Sequence, residues 1–457
     1  PRPARRGCLR HIHTFSVLAN RTYRHLLFAQ LIALVGTGMA TVALGLLAYD
    51  LAGGNAGSVL GTALAIKMVA YIGIAPIVGA YADRLPRRAF LVAMDMVRAG
   101  VALTLPFVDQ IWQVYALIFL LQSASAAFTP TFQATIPDVL PDEADYTRAL
   151  SLSRLAYDLE SLLSPILAAA LLTVISFHWL FAGTSAGFAI SAFFVLSVVL
   201  PTSPAKPQSG GIYARTTRGI RAYLKTPRLK GLLAITFAAA AASSMVIVNT
   251  VVIVREMLGL GQREVALTLA AYGGGSMLAA FALPRLLDRM SDRKVMLFAA
   301  ILLSVGLGTM AAAFASGFAI WSVVLAGWIV LGIAYSMSVT PSGRLLKRSA
   351  GESDRPAIFA AQFALSHAAW LLCYPLAGQI GAQFGQATAF AILAAVSALG
   401  TAAAILLWPR SDPETVAHDH ADLPPDHPHI RQEHQGGQTA AHVFVIDDLH
   451  PQWPRNA

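Results

Sequence analysis

Twelve runs of mostly apolar residues follow one another along the chain, at 26–49, 59–82, 89–108, 111–134, 149–175, 179–200, 231–254, 265–287, 295–315, 318–340, 357–381 and 387–408. A helix that crosses the hydrocarbon core of a bilayer needs about 20 such residues. The pattern therefore predicts an all-α membrane protein with twelve transmembrane helices. The polar stretches between the runs are short, except for PTSPAKPQSGGIYARTTRGIRAYLKTPRLK at 201–230, which has the Pro, Ser, Gly and Arg content of a linker and separates two sets of six. The expected organisation is a basic segment (1–25), a six-helix bundle (26–200), a cytoplasmic linker (201–230), a second six-helix bundle (231–408) and a tail (409–457).

Composition agrees with the pattern. Of 457 residues, 56% are hydrophobic and 12% charged, half the roughly 25% charged content of soluble domains. The formal net charge of +9 fits either a nucleic-acid binder or a membrane protein with basic loops, and the placement of the charges decides between them. With a cytoplasmic N-terminus, 28 of the 33 Lys and Arg fall on the cytoplasmic side, counting Arg285 at the cytoplasmic end of its run, two outside (Arg255 and Arg263) and three deep within spans (Lys67, Arg98 and Arg154). That asymmetry obeys the positive-inside rule. It places both termini in the cytoplasm of a bacterial-type inner membrane, makes the lipid bilayer the partner and excludes nucleic acid. Cys8 and Cys373 lie in a basic leader and an apolar run, so no disulfide framework is expected. The chain begins with Pro rather than Met, and the natural start is expected upstream. No Gly-x-x-x-x-Gly-Lys-Ser/Thr run is present to couple ATP directly, and no spacing suggests a nucleophile with its base, so an enzyme is not expected.

The two sets of six echo each other. Asp83-Arg84 with Arg88 recurs 205 residues later as Asp288-Arg289 with Arg293; Thr129-Pro130 recurs as Thr340-Pro341 at 211, and Ser164-Pro165 as Tyr374-Pro375 at 210. Three echoes at near-constant spacing argue for an internal duplication, and transporters built from repeats hold their sites between them.

The loop GAYADRLPRR (79–88) resembles the Gly-x-x-x-Asp-Arg-x-Gly-Arg-Arg motif between helices two and three of the major facilitator superfamily. It matches at Gly79, Asp83, Arg84, Arg87 and Arg88 and carries Pro86 where the family usually has Gly. The resemblance covers about 26–408 and implies two six-helix bundles rocking about a central cavity. It also implies a conformational latch built from Gly79, Asp83, Arg84, Arg87 and Arg88 and its second copy, Asp288, Arg289 and Arg293. DMVRA (95–99), NRTYRHLLFAQLIALVGTG (20–38) and RALSLSRLAYDLESLLSPILAAALL (148–172) resemble the exporter branch that includes macrolide and siderophore efflux proteins. The helix-five proline of antiporters is kept at Pro165, its glycines are not, and Phe119 stands near where many carry an arginine.

Ionisable groups inside a span are costly and mark functional candidates. Lys67 sits about 24 Å along the helix from Asp83, where it either snorkels outward or lines the cavity. Asp95 and Arg98, three apart, share a helix face as an intrahelical pair or reach the loop arginines. Arg154 and Asp158 are four apart on one face, with Glu160 roughly 200° around from Asp158. A carboxyl alternately desolvated and faced by a cation can carry a proton, and Glu160, less obviously paired than Asp158, is the stronger candidate. His367, the equivalent of Tyr157 at an offset of 210, approaches the cavity from the second bundle either as a proton or ligand site or as a structural histidine. Asn249, Gln362, Met68, Met245 and Met337 are further polar or soft candidates for the cavity wall.

After Trp408 the composition changes. Seven of the twelve histidines lie in the tail, among them His418, His420, His427, His429 and His434, interleaved with Asp419, Asp422 and Asp426. Imidazole and carboxylate donors suit nickel, cobalt, zinc or copper, though without the spacing of a structural zinc site. Together with LGLLAYDLAGGNAGSVLGTALAIKMVAYIGIAP (44–76), the tail resembles the nickel-resistance exporters of the superfamily. The resulting expectation is a monomeric, proton-coupled antiporter exporting divalent nickel or cobalt, with no resident cofactor beyond a transported or tail-bound metal. The alternatives are export of a small organic compound (a drug, macrolide or siderophore) and a non-transporting sensor of the same fold. HVFVIDDLHPQWP (442–454) is too ordered in composition to be only a linker, and whether the tail binds metal or docks is left open by the sequence.

Overall fold

The computed structural model describes residues 14–81, 86–200, 212–349, 355–411, 416–419, 439–442, 444–446, 450 and 453. Fourteen α-helices lie among them: α1 (Arg21–Ala52), α2 (Ala56–Tyr81), α3 (Arg87–Thr104), α4 (Ile111–Val139), α5 (Glu143–Leu171), α6 (His178–Leu196), α7 (Ile212–Lys225), α8 (Pro227–Val252), α9 (Gln262–Leu287), α10 (Asp292–Ala315), α11 (Trp321–Val339), α12 (Ser342–Arg348), α13 (Arg355–Phe384) and α14 (Gln386–Leu407). All but α7 and α12 coincide with the twelve apolar runs. Nine stretches among the described residues are long and apolar enough to cross a membrane, and the first, Arg21–Ile74, takes in both α1 and most of α2. Neither α5 nor α13 is in that set. α5 carries Arg154, Asp158 and Glu160, and α13 carries Gln362, His367, Gln379 and Gln383.

Local chemistry sets several helix ends. The Asn20 side chain accepts from the Tyr23 amide at 3.0 Å and caps α1, and Asp142 does the same for α5 through the Asp145 amide at 3.0 Å. Gln110 and Gln113 form a reciprocal capping box at the start of α4. Gly385, the residue between α13 and α14, has φ +83°, a left-handed conformation that glycine adopts without strain.

In the first half α1 packs on α5 and α6, α3 on α4 and α6, and α2 on α4; in the second, α14 packs on α8 and α10, α11 on α9 and α10, and α13 on α8. The halves meet chiefly where α2 packs on α13 and α5 on α9. The repeat offsets relate α2 to α9 and α5 to α13, so these two contacts are one contact made twice. Large apolar side chains such as Trp112, Phe193, Phe281, Phe298 and Leu406 are more than half exposed on the outside of the helices, as they must be where the solvent is lipid.

Two expectations need correction. The stretch 201–230 is not simply a linker, because 212–225 forms α7 and α8 already begins at Pro227. α7 is anchored by Tyr223, which is fully buried and donates from its hydroxyl to Gln362 Oε1 on α13. Burial pushes the Tyr223 hydroxyl well above its ordinary pKa, so it remains a donor. The all-α description holds for the membrane body but not for the tail, where β1 (Val416–Asp419) pairs antiparallel with β2 (Thr439–His442) and His418 stands opposite Ala440. Beyond β2 the described residues dock on the body. Phe444 and Ile446 are buried and pack with Trp453 against Ala222 of α7. The Arg228 guanidinium of α8, 1% exposed, lies 4.8 Å from the Trp453 ring centroid and donates to the Phe444 carbonyl at 3.4 Å. A guanidinium is less strongly hydrated than an ammonium and stacks on aromatic faces, which suits Arg to this position.

Candidate functional site

A cavity of about 590 Å³ lies between the two halves. The first half lines it with Lys67, Met68 and Tyr71 of α2 and Tyr157 of α5; α8, α9, α11, α12 and α13 supply the rest. The duplication is visible in the wall. Tyr272 stands 205 residues after Lys67, Ser276 the same distance after Tyr71, and His367 210 after Tyr157, and all six face the cavity. Equivalent positions in the two repeats thus point at one space, as a site on a pseudo-two-fold axis requires.

The wall is aromatic and rich in hydroxyls. Tyr71 and His367 stack across the junction of the halves, with ring centroids 5.3 Å apart and planes 7° from parallel. His367 Nδ1 lies 2.7 Å from the Phe363 carbonyl oxygen. A carbonyl only accepts, so Nδ1 carries the proton and Nε2 is left as an acceptor. Trp370 donates from Nε1 to Ser243 Oγ at 2.8 Å, fixing its ring in the wall. Tyr272, Tyr335 and Tyr374 complete the aromatic lining.

Lys67 is the cationic residue in this lining, and its Nζ is 5.8 Å from the Tyr71 ring centroid. Of its two predicted placements, the structure has the one facing the cavity. Glu160 lies on α5, three residues beyond Tyr157 of the cavity wall. Glu160 and Ser164 press on α1 at Gly38, where an added methyl group would meet Glu160 Oε1 at 2.7 Å. Glycine is required there for α5 and α1 to approach so closely. Arg154 and Asp158 are placed on α5, one turn apart, by their backbone.

At the end of the molecule where α1 meets α2, the cavity is sealed. Gly57 and Gly61 of α2 cross Gly378 and Tyr374 of α13 in backbone contact, and a methyl group added at Gly378 would overlap the Gly57 carbonyl oxygen. Asn249 donates to the Ala377 carbonyl at 3.0 Å, and Gln386 donates to Asn249 Oδ1 at 3.4 Å. Tyr49 donates to Glu256 Oε2 at 2.8 Å, with the Arg255 guanidinium 4.9 Å from the Tyr49 ring centroid. Asn249, expected on the cavity wall, belongs to this seal instead, whereas Gln362 and Met68 do line the cavity. Neither Met245 nor Met337 lies in the cavity lining; both are buried in helix packing. The cavity lies on the linker side of the seal, reached by Leu232 and Thr236 near the start of α8, Ser342 of α12 and Gln362 near the start of α13.

The other charged candidates hold helices together. Asp95 and Arg98 form a buried ion pair within α3; Ser191 of α6 donates to Asp95 Oδ2 at 2.8 Å, and the guanidinium lies between the rings of Phe128 (4.2 Å) and Phe188 (4.5 Å). Of the two predicted readings of Asp95 and Arg98, the structure has the intrahelical pair. Arg87 pairs with Asp138 at the end of α4, and Arg88 donates to the Leu196 carbonyl. In the second half Asp292 at the start of α10 faces Arg344 of α12 at 3.5 Å, and Arg293 Nε donates to the Trp408 carbonyl at 3.1 Å. The same helix joint is thus pinned in both repeats with its charges exchanged. Asp288 and Arg289 are exposed, and Gly79 lies in the last turn of α2. Asp83, Arg84, His420, His427, His429 and His434 lie outside the described residues, and His418 is placed in β1 by its backbone. Among the described residues no group of three or more His, Cys, Asp or Glu is gathered as metal ligands would be. The tyrosines and Trp370 were missed because aromatic residues in apolar spans read as packing. The 205-residue offset applied to Lys67 and Tyr71 would have found Tyr272 and Ser276.

Two repeated helical halves packed around one cavity, built from helices long and apolar enough to cross a bilayer, define the class: an all-α membrane protein of two six-helix bundles. The chain belongs to the Major Facilitator Superfamily, whose profile matches residues 26–261 and 232–438. It is 24% identical over 280 residues to the uncharacterized MFS-type transporter YfiS of Bacillus subtilis (strain 168), covering 59% of this chain and 65% of that one. It is 25% identical over 160 residues to macrolide efflux protein A of Enterococcus faecalis, covering 33% of this chain and 49% of that protein. The chain thus spans about two thirds and about half the length of these curated relatives. Among solved structures, the nucleoside transporter NupG superposes with a TM-score of 0.65 at 16% identity over 84% of this chain and 98% of that one. A bacterial homologue of the human lysosomal transporter Spinster, inward-facing and unoccupied, gives 0.65 at 11% identity over 86% of this chain and 99% of that one. At these identities the likeness is one of fold.

Proposed function

We propose that the chain is a proton-coupled exporter of a small organic compound, working by alternating access across a bacterial-type inner membrane with both termini in the cytoplasm. The observation that carries this reading is the cavity. Its volume of about 590 Å³ falls within the usual 300–1,000 Å³ of small-molecule sites, and its wall of aromatic rings with a few placed polar groups is what such sites use. A relative named for macrolide efflux supports the same reading. Divalent metal has less support, since it rests on the tail histidines and the cavity wall offers Lys67, a cation, in place of carboxylates. On the positive-inside orientation the seal faces outward and the cavity opens to the cytoplasm, where an exporter collects its cargo.

Coupling is assigned to Glu160 and Lys67. Desolvation disfavours the charged form of a carboxyl and a nearby cation favours it, so helix movement that changes the distance between the two lets the carboxyl take up and release a proton. Glu160→Gln keeps the shape and removes the exchange. In everted vesicles carrying the wild-type chain, adding erythromycin is expected to release luminal protons, and Glu160→Gln is expected to lower that release at least tenfold while erythromycin still binds. Equal proton release by the variant would remove Glu160 from the mechanism. Release driven by nickel chloride and not by erythromycin would replace the organic cargo with a metal.

A further inference from the structure

A second hollow lies on the outer surface of the second half, away from the central cavity. It is a groove of about 540 Å³ between α8 and α14, with Leu224 of α7 at one end. Nine of its ten lining residues are apolar, including Phe237, Val396, Leu399 and Leu407, and the tenth is Lys230. Leu399 is 72% exposed and Leu407 44%, so the groove is open sideways to whatever surrounds the helices.

Its two ends differ in chemistry. Lys230 lies in the first turn of α8 and Leu407 is the last residue of α14, both on the linker side. The cation therefore sits at membrane-surface level, and the apolar length runs from it towards the bilayer centre. Among the described residues no carboxylate lies within ion-pair reach of Lys230. Arg228, two residues earlier, is by contrast buried under Trp453. α7 adds to the cationic end, with Arg221 and Lys225 both exposed beside Leu224.

We propose that this groove is a binding site for an anionic phospholipid of the phosphatidylglycerol type, its phosphate held by Lys230 and an acyl chain lying between α8 and α14. Charge complementarity selects this occupant. A basic pocket between spanning helices at the cytoplasmic level recognises anionic head groups, and a neutral lipid would leave Lys230 without a counter-ion. The described tail residues Phe444 and Trp453 are seated elsewhere, on Ala222 and Arg228. A second copy of the chain would bring its own linker-side cations, among them the exposed Arg221, Arg289 and Lys294, against the same cation. The proposal is independent of the cargo in the central cavity.

The test uses the full chain with Cys8→Ala and Cys373→Ala, a bimane on Leu399→Cys, and phosphatidylcholine vesicles containing increasing fractions of dibrominated phosphatidylglycerol or dibrominated phosphatidylcholine. Bromine quenches the bimane only in contact. Phosphatidylglycerol is expected to reach half-maximal quenching at about one fifth the mole fraction needed by phosphatidylcholine, the preference a single interfacial cation contributes. Lys230→Gln is expected to erase that preference, and Lys294→Gln, an exposed lysine at the start of α10, to preserve it. Equal quenching by the two lipids would mean ordinary boundary lipid and overturn the site. So would a preference surviving Lys230→Gln or lost equally in Lys294→Gln. Quenching by neither lipid would mean that a protein surface covers the groove, and it would overturn the site as well.

Discussion

Gly378→Val is expected to lower transport at least tenfold by preventing the seal from closing. The position crosses Gly57 backbone to backbone, and even one methyl group there overlaps a carbonyl oxygen, which cannot swing aside as a side chain can. Overpacking of this kind costs about 1–3 kcal/mol. Here the cost falls only on the state in which α2 and α13 touch, so the population shifts by up to about a hundredfold towards the opposite state. Ala377, fully buried in the seal, reports the shift: a cysteine placed there should react with a membrane-impermeant maleimide in the Gly378→Val background and not in the parent. Gly308→Val, where an added Cβ meets open space, should leave transport and labelling unchanged. An active Gly378→Val chain with an unreactive Ala377→Cys would mean that the seal is not part of the transport cycle.

The largest loss of stability is expected at Asp95. Its carboxylate is fully buried between Arg98 and Ser191, and Arg98 Nε has no hydrogen-bond partner, its guanidinium being covered by Phe128 and Phe188. Asp95→Ala leaves a buried guanidinium without its counter-ion, at a cost of about 3–5 kcal/mol. Removing both partners, as Asp95→Ala with Arg98→Met, should restore much of that, because replacing a buried pair by apolar groups is often neutral. Unfolding in mixed dodecylmaltoside–SDS micelles measures both variants. A double variant no more stable than the single one would show that the loss comes from the cavity left at Asp95 rather than from the stranded charge.

Most of the fold was legible in the sequence because a bilayer leaves few options. Backbone groups in hydrocarbon must be satisfied within the segment, so each run of about 20 apolar residues reads as a helix. What the sequence hid follows from the same rule. α7 is amphipathic and too polar to span, so its composition looked like a linker, and only the buried Tyr223 shows that it packs. The strands of the tail depend on pairing across the 19 residues that separate Asp419 from Thr439, and no local pattern announces such a partner. At the site, Lys67, His367 and Glu160 stood out because charge in lipid is costly. Tyr71, Tyr272 and Tyr335 did not, since an aromatic ring facing a cavity and one facing a neighbouring helix look alike in one dimension. The seal was invisible for a simpler reason. Gly57, Gly61 and Gly378 matter because of what lies opposite them, and that is known only once α2 and α13 are set side by side.

The uneven sharing of the cavity wall has a consequence for how such a carrier changes its diet. Lys67, Met68, Tyr71 and Tyr157 are the contribution of the first half, and four times as many lining residues come from the second. Drift in the latter can reshape the compartment piecemeal while the Lys67 ammonium group stays where it is. New cargoes should therefore arise by changes confined to α8, α9, α11, α12 and α13, and a chimaera taking those helices from a cousin should inherit the cousin's tastes.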